Sequence, residues 1–145
     1  MQIIEVKNKE KINVSAGIFV KDKELLFTSR KKNKIYSNCF EFPGGKVEKG
    51  ETNFQALNRE IMEELSVKII SADLFSNYSY KLNSTHINLN FFLCSKWIGK
   101  FKPLEKQKIQ WINILDVNSY EILPSNKKVI LKMIKFLTDY STSQV

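Results

Sequence analysis

Cysteine, arginine, histidine and proline are scarce in this 145-residue chain, which holds two, two, one and three of them, and no apolar run is long. Each shortage excludes something. Cys39 and Cys94 lack CxxC spacing and have no metal-ligand companion nearby, which argues against a disulfide framework or a cysteine zinc site and fits reduced thiols in a cytoplasmic protein. The opening MQIIEVKNKEKINV mixes charges of both signs with isolated apolar residues, so it does not read as an export signal. No stretch approaches the roughly 20 apolar residues of a bilayer span, and no membrane partner is expected. The single histidine, His86, falls in a strand-like alternation and is read as structural.

Positive charge is plentiful by contrast. The formal net charge is +8, from 23 Lys and Arg against 15 Asp and Glu, which suits a polyanionic partner such as a nucleotide polyphosphate or a nucleic acid. Most of it is lysine on solvated faces, as in Lys31-Lys32 and Lys127-Lys128. Arg30 and Arg59 stand out because the chain otherwise uses lysine, and a planar bidentate fork is the reason to choose arginine.

The length suits one domain over residues 1–145, without repeats, low-complexity tracts or linkers. INVSAGIFV (12–20) and ELLFTSR (24–30) read as a β-hairpin around KDK, and KKNKIYSN (31–38) as a loop before the short apolar CFEF and a bend at Pro43-Gly44-Gly45. Thr52 with Gln55 forms a capping box ahead of Phe54, Leu57, Ile61 and Leu65 at helical spacing. LFSNYSYKL, THINLNFFLCSKWI and KIQWINI read as strands, and NKKVILKMIKFLTDY as an amphipathic helix before a frayed STSQV. These elements predict an α+β domain in which helices cover both sides of a mixed central sheet.

On the first helix, Glu60 and Glu64 lie one turn apart with Glu63 beside them. A solvated acidic face would carry lysines at four-residue spacing, and none stands there. Carboxylates so close raise one another's pKa unless a cation joins them, and a hard divalent ion with oxygen ligands, Mg2+ or Mn2+, is the physical answer. Gly44 and Gly45 just upstream let backbone approach an ion or a phosphate.

The spacing Gly45, five residues, Glu51, seven residues, Arg59-Glu60-Ile61, one residue, Glu63-Glu64, one residue, Ser66-Val67 resembles the Nudix box, G-x5-E-x7-R-E-U-x-E-E-x-G-U. Its six fixed polar or glycine positions coincide by chance in about one chain in 10⁵ of this length, so the pattern carries weight. Only Ser66 departs from it, standing where the family has the glycine that ends the helix. The resemblance implies a Nudix-like α/β/α sandwich. It further implies that Glu60, Glu63 and Glu64 hold divalent metal with the Gly45 carbonyl, and that Glu51 and Arg59 support the loop and helix. EFPGGKVEKGET (41–52), THINLNFFLCSKW, LEKQKIQW and LPSNKKVI extend the resemblance to the MutT-type nucleoside triphosphate pyrophosphohydrolases of the family.

By that resemblance Glu105 joins Glu60, Glu63 and Glu64 in the catalytic metal site, Arg30 contacts phosphate and Asn126 contacts the purine. Lys46, which follows the glycine pair, is a second phosphate candidate. Trp97 and Trp111 are read as core or sheet residues, while Tyr78 and Tyr80 are candidates to line a base pocket. The implied activity is cleavage of 8-oxo-dGTP or a related triphosphate to monophosphate and pyrophosphate, sanitising the nucleotide pool. Two alternatives are a pyrimidine (CTP-type) hydrolase and a non-catalytic damaged-DNA recognition module. The module has no need of the glutamates, so their full set argues against nucleic acid as partner.

Overall fold

The computed structural model describes residues 10–30 and 37–143. In β1 (Lys11–Lys21) successive side chains go to opposite faces, so that Ala16 and Ile18 join one buried cluster and Phe19 another. The chain turns at Asp22, in left-handed conformation, into β2 (Glu24–Ser29), with Val20 opposite Leu25. β3 (Phe40–Glu41) and β4 (Gly44–Lys46) flank the Pro43 bend. After α1 (Asn53–Leu65) come the long hairpin of β5 (Lys68–Leu82) and β6 (Thr85–Ile98), then β7 (Ile109–Asn113), a 3-10 turn at Val117–Ser119, and α2 (Pro124–Ser143).

The sheet runs β3-β2-β1-β6-β5, with β4 also paired to β1 and β7 to β2. Only β1 and β6 run parallel, which makes the sheet mixed. Leu57, Ile61 and Leu65 of α1 pack on Phe19, Leu26 and Phe92, while Val129, Ile130 and Met133 of α2 pack on Ile18, Leu25 and Phe27 across the sheet. The fold is therefore the expected α/β/α sandwich. Trp97 and Trp111 belong to the α1 side, in an aromatic group with Phe19 and Phe101, and neither faces the cleft described below.

The clearest differences from the sequence reading are at two element ends. β5 starts at Lys68 rather than Leu74, because bulges between Ile69 and Ser71, Ser71 and Ala72, and Leu74 and Ser76 destroy the alternation by which a strand is recognised. α2 continues to Ser143, past the expected end at Tyr140, since extending an existing helix costs little. Of the expected loop at 31–38, residues 31–36 lie outside the described residues, as do the last two of STSQV. No described helix is long and apolar enough to cross a membrane.

Both ends of α1 are made by side chains the sequence singles out. Thr52 Oγ1 accepts from Gln55 N at 3.1 Å and Gln55 Oε1 accepts from Thr52 N at 2.8 Å, the capping box in full. At the other end Ser66 sits at φ 62° and ψ 32°, with its N–H donating to the Met62 carbonyl. A left-handed serine is strained by roughly 1 kcal/mol, which a glycine would not feel. Ser66→Gly is expected to raise the thermal midpoint by about 2–4 °C. A midpoint that stays put or falls shows that the Ser66 side chain compensates the strain.

Candidate active site

A cleft of about 720 Å³ opens between β1, β4, the C-terminal half of α1 and the start of α2. That is the size of a small-molecule site. Its lining carries Glu41, Glu60, Glu63, Glu64 and Glu105, of which Glu41, Glu60 and Glu105 lie close enough to Glu64 to act on its charge, together with Arg30 and Lys46. The apolar lining comes from Ile12, Val14, Ile87, Leu89 and Phe91, with Tyr80 and Asn126 also on the wall. The cleft gathers the metal candidates Gly45, Glu60, Glu63, Glu64 and Glu105 and the substrate candidates Arg30, Lys46, Tyr80 and Asn126. Tyr78, by contrast, stacks on Phe91 in the core, and His86 is exposed outside the cleft.

Arg59 organises the acidic cluster. Its Nε and one terminal nitrogen hold Glu51 bidentately at 2.7 and 3.0 Å, and that same nitrogen donates to the Lys46 carbonyl at 3.0 Å. Glu51 in turn accepts from Glu48 N at 2.8 Å, which closes the 46–51 loop on the helix. The guanidinium holds the Glu51 carboxyl below its usual range, and the Glu48 N–H helps. The other terminal nitrogen of Arg59 lies 2.9 Å from Glu60 Oε1 and 3.4 Å from Glu63 Oε2. The sequence reading found no i,i+4 cation on this face. Arg59 is that cation, four residues before Glu63, and it went unrecognised because only lysine was counted.

With Glu60 and Glu63 drawn to Arg59, no three acidic, histidine or cysteine side chains among the described residues stand in metal-ligating geometry. Glu60 nevertheless remains against the loop. A Cβ on Gly45 would fall 2.4 Å from the Glu60 carboxyl carbon, and one on Gly44 would fall 2.0 Å from the Ser15 carbonyl oxygen. Space requires glycine at Gly44, where the obstacle is backbone; at Gly45 the obstacle is the tip of the Glu60 side chain, which a larger residue would displace.

Glu64 is different in kind. Burial, then the like charges of Glu60, Glu105 and Glu41, push its carboxyl from the ordinary 4.5 up to about 8, opposed by a hydrogen bond from the Gly44 backbone. Both causes favour the protonated form in the metal-free chain. Glu41, which the sequence reading missed, contributes to this and also pairs with Arg30 at 3.3 Å. Only the β2–β3 register, with Thr28 opposite Glu41, brings those two together; the signal available in sequence was a carboxylate inside the EFPGG stretch. The Nε of Arg30 is buried without a hydrogen-bond partner among the described residues, and the Arg30 side chain lines the cleft.

Asn126 is 5% exposed and is the third residue of α2, so it is not that helix's N-cap. Its Oδ1 accepts from Phe42 N at 2.8 Å, which fixes the amide and leaves Nδ2, 3.3 Å from Ser125 Oγ, as its donor toward the cleft. Glu105 lies on an exposed loop that closes the C-terminal end of α1: Lys102 N donates to the Leu65 carbonyl and Leu104 N to the Glu64 carbonyl, both at 2.9 Å. Nucleophilic thiol chemistry finds no support, since burial pushes Cys94 up to about 12 and neither cysteine lines the cleft.

The comparisons with known proteins agree with this geometry. The 8-oxo-dGTP diphosphatase of Escherichia coli (strain K12) is 34% identical over 125 residues, covering 86% of this chain and 97% of that one. The CTP pyrophosphohydrolase of the same organism is 27% identical over 115 residues, covering 79% and 85%. A solved MutT chain from work on Aliivibrio salmonicida and Vibrio cholerae superposes with a TM-score of 0.77 at 30% identity, covering 87% of this chain and 98% of that one. A model of the NUDIX domain matches residues 11–133, from the first residue of β1 to Met133 in the middle of α2. That span takes in the whole sheet, the capped helix and every residue of the cleft: the chain belongs to the NUDIX domain family.

Proposed function

We propose that this Nudix hydrolase cleaves 8-oxo-dGTP, or a closely related purine nucleoside triphosphate, to the monophosphate and pyrophosphate in a divalent-metal-dependent reaction. One observation carries the reading: a single cleft joins a confined carboxylate cluster to an apolar chamber holding a buried, oriented carboxamide. A polyphosphate belongs with the first and a base with the second. The naming of the E. coli relative as an 8-oxo-dGTP diphosphatase supports the purine choice.

The donor set fits a hard divalent ion, Mg2+ or Mn2+. A half-buried carboxyl among three others is stable only with a proton or a cation, and its neighbours offer oxygen alone. Gly45, Glu60, Glu63, Glu64 and Glu105 would hold it. When bound, such an ion neutralises the polyphosphate and makes water acidic enough to lose a proton near neutral pH. The protein's own part is positional. Arg59 keeps the 46–51 loop on α1, Arg30 and Lys46 take phosphate oxygens, and Glu64 gives up its proton as the site is filled. Asn126 Nδ2 offers a donor to an acceptor on the base edge, such as a purine carbonyl oxygen, while the walls of Ile12, Val14, Ile87 and Leu89 exclude water.

Glu64→Gln separates function from folding. The carboxyl's pKa is raised on folding, so the folded metal-free chain holds a proton that the unfolded chain has lost between about pH 4.5 and 8, and stability falls as pH rises through that window. The loss at pH 8 is on the order of a few kcal/mol. In chelator at pH 8, Glu64→Gln is expected to unfold at higher denaturant than the parent, with a flatter pH profile, while kcat falls by about 10² or more. Parental turnover in this variant contradicts the site.

Asn126→Ala tests the base. It removes the donor and also strands Phe42 N, so kcat/KM falls for every substrate, and the ratio between substrates is the readout. The preference for 8-oxo-dGTP over dGTP is expected to shrink by about 1–3 kcal/mol. An unchanged ratio leaves Asn126 a purely structural brace, and a parent that prefers CTP overturns the purine reading in favour of the pyrimidine one.

A further inference from the structure

We infer that Gln107 is a positioning residue for the metal site, holding Glu105 in register with the helix that carries Glu60, Glu63 and Glu64. The inference rests on the reading of Glu105 given above.

The Glu105 loop has no buried anchor of its own. Residues 102–106 are all exposed, and even Leu104 has 54% of its surface in water, so no buried side chain anchors the segment. Its place is set by hydrogen bonds to the last turn of α1. Lys102 N and Leu104 N take the Leu65 and Glu64 carbonyls, which a helix terminus leaves without partners. Beyond Leu104 the backbone makes no further bond of this kind to the helix, and the half-buried Gln107 takes over.

Gln107 Nε2 donates to the same Glu64 carbonyl at 3.2 Å, and Gln107 Oε1 accepts from the backbone N–H of Glu105 at 2.9 Å. One partner only accepts and the other only donates, so the amide has one orientation. No other kind of side chain of this length does both: glutamate cannot donate, lysine cannot accept, and methionine makes neither bond well. The side chain thus ties the backbone of one carboxylate residue to the backbone of another across 41 positions of sequence. Lys106, between Glu105 and Gln107, has φ 63°, a strained left-handed conformation for a non-glycine residue. That reversal folds Gln107 back onto Glu105 N. Strain of this kind persists where the surroundings over-determine the geometry, and here it sits next to a carboxylate that raises the pKa of Glu64.

Groups that orient metal ligands affect metal affinity or activity by about 10- to 100-fold when removed. The test compares the parent with Gln107→Ala, Gln107→Glu, Glu105→Gln and the double variant Glu105→Gln/Gln107→Ala. Four quantities are measured in each: Mn2+ affinity of the chain alone, from the spin-resonance signal of the free ion; kcat and KM for the triphosphate; and the thermal midpoint in chelator. Gln107→Ala and Glu105→Gln are each expected to lower Mn2+ affinity and kcat by about tenfold or more, with KM much less affected. The double variant is expected to be no worse than Glu105→Gln. Gln107→Glu keeps the acceptor but not the donor, and is expected to fail like alanine. Parental Mn2+ affinity and kcat in Gln107→Ala, when Glu105→Gln has lost them, overturns the inference, even if the thermal midpoint drops. Losses that multiply in the double variant overturn it as well. Parental behaviour of Glu105→Gln instead overturns the reading of Glu105 itself.

Discussion

Like charge held in a confined place is the constraint around which this molecule is arranged. Glu41, Glu60, Glu64 and Glu105 come together from a strand, a helix and a loop in one cleft, and Glu64 is the most enclosed of them. The chain has two arginines, and both lie at this cluster: Arg59 draws in Glu51, Glu60 and Glu63, and Arg30 pairs with Glu41. Glu64 is left with a backbone hydrogen bond and a raised pKa. Repulsion that would be removed from a structural surface has been kept here and buffered. Native proteins tolerate such conflicts at functional sites.

The apolar lining of the cleft obeys the opposite rule. Its walls are aliphatic and aromatic residues on the α2 face of β1 and β6, and the polar exception, Asn126, has its oxygen already satisfied by Phe42. A nucleotide is a molecule of this same asymmetry, with dense charge at one end and a flat, edge-polar base at the other. β1 serves both linings: Val14 and Ala16 line the cleft, while the same segment pairs with β4, which carries Gly44 and Gly45.

Much of the site was legible in sequence wherever cause and effect are close along the chain. The capping box and the shared face of the α1 glutamates follow from local rules of helix geometry, while the supporting roles of Glu51 and Arg59 and the helix end at Ser66 were legible only through the Nudix-box resemblance. What was not legible depends on pairing between distant strands. The Arg30–Glu41 contact requires the β2–β3 register, and the Asn126–Phe42 bond spans 84 residues. The bulged start of β5 was missed because a bulge erases the period-two signal itself. The cation on the acidic face of α1 was overlooked because only lysine was counted as a partner at four-residue spacing.

A raised Glu64 pKa means that a cation entering the cluster displaces a proton. Calorimetric titration of the chain with Mg2+ at pH 7, in buffers of different ionisation enthalpy, counts the protons released on binding. With the Glu64 carboxyl at about 8, close to one proton should leave per chain, with release vanishing well above pH 8. Binding that releases no proton at pH 7 would mean that Glu64 is already ionised there, and the account of the cluster would be wrong.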